Sequence, residues 1–488
     1  MHMNEIIQTL MPWLILAAGI LVTLLVSVIR VESKRPAQLS ALLTLVLTGV
    51  SALQTVSLPG EAIFSGSIEI SSLTRILLAL FSLIGVLFVV GADRYLSKEK
   101  IHLSDYYHLL LIMILGAGIM VAAKDLVVLF IALEVMSLPA YTLAGFRRND
   151  SRSNEAAIKY FVLGGAVGAV FLLGSAFLFG ATGSTQFPAI YSWSRQSVTG
   201  SNLLFAAGHF LVIVAFLFKV AAAPFHFWKP DVYEGAPTPV TGLMSTLVAV
   251  ASFVTLVRLI HLPALDSTGW EVYAASIKTT IRVLAVASLV VGSLVIITQK
   301  NLKRLFAYSS ISQSGYLMLG VLASLQPGQG IAPVLIYLFG YVFAAVGLFV
   351  LLSQSEPRGD TGVELVDLTG LVRRSPLRTA LWSVLLFSMA GMPFTVGFFT
   401  KYFIFISSVG SGETPLVVLA AMCAVVSAYA YLRPIGLMVM RDADPGAAQW
   451  GGGFWSQLVV VVSVILVVFL GLMPNAMIQY LKGIPLIH

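Results

Sequence analysis

The chain runs to 488 residues, of which 58% are hydrophobic and only 10% charged, with a mean hydropathy of +0.94. A soluble domain carries about 25% charged residues, so composition excludes one and leaves an integral membrane protein. The net charge of +7 would suggest a nucleic-acid partner in a soluble protein, but here it reads as cationic loops on one side of a bilayer, with no nucleic acid expected.

Uninterrupted apolar runs of about twenty residues recur from end to end without strand-period alternation. They predict an all-α, polytopic helical bundle and exclude a barrel. The first run, Leu10 to Ile29, is too long for a signal-peptide core, and its positive flank (Arg30, Lys34, Arg35) follows it, so it is expected to stay as a membrane helix. Cys423 is the only cysteine, which excludes an internal disulfide. In chain order, fourteen helices are predicted near 9–29, 37–56, 73–92, 106–123, 125–145, 157–182, 203–225, 239–261, 277–298, 304–325, 331–353, 378–408, 415–440 and 453–473.

The loops support that count. Odd-numbered loops hold Arg30, Lys34 and Arg35; Arg94, Lys98 and Lys100; Arg147, Arg148 and Arg152; Lys229; Lys300, Lys303 and Arg304; Arg358, Arg373 and Arg374; and Arg441. Even-numbered loops hold little beyond Lys124, Arg195 and Lys278. The positive-inside rule then puts the odd loops in the cytoplasm and both termini on the other side. The longest polar connection, 353–378, carries Glu356, Asp360, Glu364 and Asp367 among arginines and is too short to fold alone. A second long loop, 182–201, lies on the opposite face.

An internal echo is visible. Leu217-Phe218-x-x-Ala221-x-x-Pro224-Phe225 recurs as Leu386-Phe387-x-x-Ala390-x-x-Pro393-Phe394, in predicted helices 7 and 12. An offset of five helices means that the second copy crosses the bilayer in the opposite direction. Inverted repeats with interrupted helices are common in transporters, with the working site near the midplane.

Three ionisable residues fall well inside apolar runs: Glu134, Lys219 and Lys401. A charge there costs about 2.5–3.5 kcal/mol on insertion scales, and a static ion pair or snorkelling would be the bland explanation. The functional reading is proton transfer. At about 4 Å and an effective dielectric of about 20, a Glu134–Lys219 pair would attract by about 4 kcal/mol. Opening and closing it would therefore switch the lysine's affinity for its proton. Other features rank lower. His226, Trp228, Asp231, Tyr233 and Glu234 form a polar-aromatic turn after Pro224. Glu155 and Lys159 are spaced i,i+4 at a helix start, as a surface pair or a proton-uptake site. Gly164-x-x-x-Gly168 is expected to pack helices, since no strand precedes it. His102 and His108 lack a third residue at ligand spacing, so no metal site is expected.

Five stretches together resemble one family. EVMSLPAYTLAGF around Glu134, SNEAAIKYFVLGG around Glu155, FKVAAAPFHFWKPDVYEGAPTPVT around Lys219, QKNLKRLFAYSSISQSGY from Gln299 and GMPFTVGFFTKYF around Lys401 are similar to subunit N of the proton-pumping NADH–quinone oxidoreductase, respiratory complex I. The DVYEGAP stretch is the most specific of these marks. The resemblance implies two inverted five-helix repeats, helices 4–8 and 9–13. The chain then divides into 1–105, 106–261, 277–440 and the C-terminal helix in 441–488. It also implies a bacterial inner-membrane location and other membrane subunits as partners, sister antiporter-like subunits among them. No cofactor is expected in this chain, with NADH, flavin mononucleotide, iron–sulfur clusters and quinone handled elsewhere. By position, Glu134 partners Lys219 and Lys401 is the exit-side carrier. One departure stands out. The family's further lysine in helix 8 is replaced by Ala249, and 243–257 holds no ionisable residue. Either ordered water held by Ser245, Thr246, Ser252 or Thr255 bridges the gap, or the path crosses elsewhere. The alternative is a subunit of an Mrp-type cation/proton antiporter or of a membrane-bound hydrogenase.

Overall fold

The computed structural model describes residues 3–29, 35–99, 103–196, 203–263, 270–326, 330–354, 363–443 and 451–482. Arg30, Lys34, Lys100, His102, Glu356, Asp360 and Arg358 lie outside the described residues. A helix forms at each predicted stretch, from Met3–Ile29 to Phe454–Leu472. Among the described residues eleven helices are long and apolar enough to cross a bilayer. Leu203–Lys219, Pro376–Ala390 and Val396–Gly410 are shorter apolar helices.

Helix starts follow local chemistry. Asp125 Oδ1 accepts the amides of Val127 and Val128 at 2.7 and 3.2 Å, opening Leu126–Ala144. Asp150 caps Ser151–Thr182, and Asn301 caps Leu302–Ser324. Thr238–Ile260, Leu302–Ser324 and Ala332–Ser353 sit at the centre of the bundle and are buried almost throughout. The first two helices and Thr414–Met440 expose most of their apolar residues, the composition of a face that meets lipid or partner subunits.

The helices depart from the sequence expectation at three places, all near the buried charges. Helix 7 stops at Lys219, not at residue 225, and a short helix, Trp228–Gly235, follows the break. Pro224 explains the early stop: it lacks the N–H that would bond the Val220 carbonyl, and its ring collides with that carbonyl in a continuing helix. Helix 12 is two helices, Pro376–Ala390 and Val396–Gly410, because Pro393 does the same to Met389. Helix 8 contains a π-helical turn, Met244–Val248, and such turns cluster at functional sites. A hairpin, Glu61–Ile63 with Ile68–Ile70, was also not expected, since three-residue strands are too short to show alternation.

Candidate proton pathway

Both copies of the repeated motif lie on helix breaks, and each break places an ammonium group in the interior. Lys219 is the last residue of Leu203–Lys219 and is 3% exposed. Its Nζ donates to Ser137 Oγ at 2.8 Å and to the Tyr141 hydroxyl at 3.0 Å. The rings of Tyr141 and Tyr160 lie 5.2 and 5.7 Å away, so π faces and hydroxyls take over part of water's role. Ala221 adopts a left-handed conformation, φ 52°, which turns the chain out of the helix. The carbonyl that Pro224 frees, Val220 O, accepts from Ser314 Oγ at 2.7 Å, and the amide of Ala223 donates to Ser288 Oγ at 2.8 Å. Both serines belong to the second half of the chain, so the first break is held by the second half.

Glu134 lies on the same helix as Ser137 and Tyr141, one and two turns earlier, so the three share a face. The expected Glu134–Lys219 ion pair is not closed: among the described residues the ammonium is bound by Ser137 and Tyr141 instead. Glu134 thus stands one helical turn before Ser137, the residue that holds the ammonium. Pro139 lies inside this helix, which runs on through it, and leaves the Val135 carbonyl beside Glu134 without its amide donor. Gly164 and Gly168, expected to pack helices, give way to these side chains. A Cβ at Gly164 would overlap the Tyr141 hydroxyl, and one at Gly168 would come within 3.3 Å of Glu134 Oε1. Gly164→Ala is therefore expected to displace Tyr141 and destabilise the bundle by about 1–3 kcal/mol, which thermal unfolding of the purified assembly would register.

Lys401, 7% exposed, lies in the second helix after its break. Its Nζ donates to Met389 O at 3.2 Å and Ala390 O at 2.9 Å, the terminal carbonyls of the preceding half-helix. These are the groups that Pro393 and the helix end leave without amide donors, and the helix dipole concentrates negative potential there. Gly391 makes this contact feasible: it turns at φ 86°, and a Cβ would come within 3.0 Å of the lysine side chain. The ring of Tyr316 lies 5.2 Å from the ammonium. Beside it is a cavity of about 20 Å³ lined by Gln313, Tyr337, Tyr341, Ser388 and Lys401, among others. That is room for a water molecule among polar partners.

The four linkers proposed for helix 8 behave differently from one another. Ser245, in the π-helical turn, shares a 2.7 Å hydrogen bond with the Tyr341 hydroxyl, and Tyr341 lines the Lys401 cavity. Thr246 and Thr255 donate to Gly242 O and Ala251 O of their own helix. Ser252 Oγ is buried without a hydrogen-bond partner among the described residues.

A charged cluster lies at the end of the bundle that carries the arginine-rich loops. Lys159 bridges Glu155 at 2.6 Å and Asp231 at 2.8 Å, and Arg304 bridges Asp231 and Glu234, each at 2.9 Å. Burial opposes ionisation of Asp231, but hydrogen bonds from Lys159 and Arg304 outweigh it and hold the carboxyl below its usual range. His226, in the linker after the break, is held below the usual imidazole range by burial. Its Pro224 carbonyl neighbour resists that shift, and the Lys229 charge adds to it. The i,i+4 pair thus belongs to a network that ties two helices and the post-break segment together. The tyrosines, Gln313 and the burial of Lys229 were not expected from sequence. A tyrosine in an apolar run reads as core, and only the packing shows which hydroxyls point inward.

Comparison with known proteins places this geometry. A family model described as NADH:quinone oxidoreductase/Mrp antiporter, TM, matches residues 123–427, the stretch that holds Glu134, Lys219 and Lys401. NADH-quinone oxidoreductase subunit N 1 of Chloroherpeton thalassium is 36% identical over 98% of both chains. Among solved structures, a chain of respiratory complex I from Thermus thermophilus with bound aureothin superposes with a TM-score of 0.81, at 32% identity over 96% of this chain and 99% of that one. The Mrp complex from Dietzia sp. shares the fold, TM-score 0.82, at 17% identity over 97% of this chain and 96% of that one. The chain belongs to the antiporter-like membrane subunits of NADH:quinone oxidoreductase, in the subunit N group.

Proposed function

We propose that this chain translocates protons as a membrane subunit of an NADH–quinone oxidoreductase, with Glu134, Lys219 and Lys401 as the groups that gain and lose them. One observation carries the reading: each of two helix breaks presents a lysine ammonium to a closed polar site, Lys219 at Ser137 and Tyr141, Lys401 at two carbonyls and a cavity. Such sites hold a charge away from lipid and bulk water while leaving it a small set of partners to exchange with. Glu134 then acts as the switch. Swinging toward Lys219 it would stabilise the ammonium, and in the open arrangement it leaves the proton free to move on.

In this reading the two breaks mark two inverted five-helix repeats, residues 106–261 and 277–440, with helices before and after them. The chain itself does no redox chemistry. NADH, flavin, iron–sulfur clusters and quinone belong to other subunits, and their reactions drive the charge movements here. The arginine-rich loops face the cytoplasm of a bacterial cell, and both termini face outward. An Mrp-type antiporter is disfavoured, because identity to the Mrp chain is about half that to the complex I chain.

Glu134→Gln keeps the side-chain volume and removes the switch. Proton uptake by membrane vesicles carrying the assembled complex, per NADH oxidised, is expected to fall severalfold. Normal uptake with normal assembly would overturn the role given to Glu134.

A further inference from the structure

Residues 243–257 of helix 8 carry no ionisable group, so a proton that passes from one half to the other needs a different crossing. We propose that the crossing runs through Tyr160, Tyr233, Ser245 and Tyr341, with Lys229 as its cationic group. The proposal rests on the proton-translocation reading above and adds the route between its two halves.

The first link is Tyr160. Its ring packs edge-on against Tyr141, the hydroxyl partner of Lys219, with centroids 4.6 Å apart, and it stacks on Trp228 at 4.7 Å. The Tyr160 ring also lies 5.7 Å from the Lys219 ammonium, and the short helix that carries Tyr233 packs on the helix that carries Tyr160. Tyr233 is the second link. Its hydroxyl is buried and makes no hydrogen bond of good geometry among the described residues, yet it lies against the hydroxyls of Ser245 and Ser310 and near that of Tyr341. A buried hydroxyl left without a partner is destabilising, and this one has the hydroxyls of neighbouring side chains to exchange with through water. Ser245 and Tyr341 are already hydrogen-bonded at 2.7 Å, and Tyr341 opens into the Lys401 cavity. With a water bridging those hydroxyls that do not bond directly, each accepts one proton on a lone pair and passes its own onward. No heavy-atom bond changes and no electron is transferred.

Lys229 stands beside this chain. It is 4% exposed, and its ammonium lies 5.3 Å from the centroid of the Tyr233 ring. A desolvated cation–π contact offsets only part of the cost of taking an ion out of water. The contact alone therefore does not explain a buried cation. Burial pushes Lys229 down to about 7, where it can take up and release a proton near neutral pH. The groups around it are His226, which feels its charge, Tyr233 on its own helix, and Lys303 on the adjoining helix, bound to the Glu234 and Ala236 carbonyls. At the rim Asp231 and Glu234 are held by other cations, Arg304 bridging both and Lys159 bridging Asp231. No carboxylate among the described residues forms an ion pair with Lys229, which is the condition under which its proton is labile.

The test compares Lys229→Arg, Tyr341→Phe and Lys219→Met in assembled complex in membrane vesicles, reading protons taken up per NADH oxidised. Arginine keeps the charge but does not release a proton, and phenylalanine removes only one oxygen from the cavity wall. The expected result is at least a twofold fall in all three variants. A fall in Lys219→Met alone, with full pumping in the other two, would overturn the crossing and leave the proton-translocation reading standing. Full pumping in all three would overturn both. Should Tyr341→Phe fail to assemble, Ser245→Ala breaks the same link, and full pumping in that variant would equally overturn the crossing.

Discussion

Replacing Lys219 with methionine is expected to cut proton flux through this chain by at least about tenfold, the equivalent of about 1.4 kcal/mol in a barrier. Methionine fills a similar volume, so the effect isolates the ammonium. Without it, a proton reaching the break would have to sit on water or a hydroxyl in a site closed by aromatic rings, at a cost of several kcal/mol. Ser137 and Tyr141, which now accept from the ammonium, lie one turn apart on one helix, and their hydroxyls can turn to other acceptors. Stability should therefore change little. Proton uptake by vesicles, normalised to NADH oxidised and to assembled complex, measures the first effect, and thermal unfolding measures the second.

Lys401→Met should behave differently on the second measurement. Its ammonium satisfies the Met389 and Ala390 carbonyls, which the break strands inside the bundle. Methionine leaves them unpaired, at about 1–3 kcal/mol for a buried polar group. The variant is therefore expected to lose both proton flux, again by about tenfold or more, and measurable stability. A stability loss in Lys219→Met that matched or exceeded the loss in Lys401→Met would contradict the assignment of partners at the two breaks.

Much of this site was legible in the sequence because charge is rare in the chain. Glu134, Lys219 and Lys401 stand out against apolar runs, and Pro224 and Pro393 mark where backbone bonding fails. The helix ends were harder to place. Helix 7 was expected to continue to residue 225, but a proline acts on the carbonyl four residues upstream, so Val220 and Met389 are where regular bonding ceases. The sequence contains that information once the rule is applied at the right offset. It does not contain the partners of the freed carbonyls. Ser314 reaches Val220 O across 94 positions of chain, and nothing local distinguishes it from Ser312 or Ser310. The stretch from Gln299 to Tyr316 stands out only as part of the family likeness, and packing brings its Ser314 to the first break and its Tyr316 to Lys401 at the second.

Lys229 shows a different limit. It was counted among the cations of an exposed loop, because a lysine next to a proline in a polar turn ordinarily faces water. The short helix Trp228–Gly235 instead packs on Ser151–Thr182 and Leu302–Ser324 and carries the side chain inward. Ser245, Thr246, Ser252 and Thr255 were equivalent as residue types. Their geometry separates them: only Ser245 reaches the second half, and the threonines bond their own helix.

The most direct test of the account exchanges lysine for arginine at positions 219 and 401, each alone, and measures protons taken up per NADH oxidised in vesicles with fully assembled complex. Arginine retains the positive charge and the hydrogen bonds but does not give up its proton. If these groups carry protons, both variants lose pumping while assembling normally. If they serve only as fixed charges that hold the breaks together, both variants pump at the unaltered ratio, and that result would contradict the account.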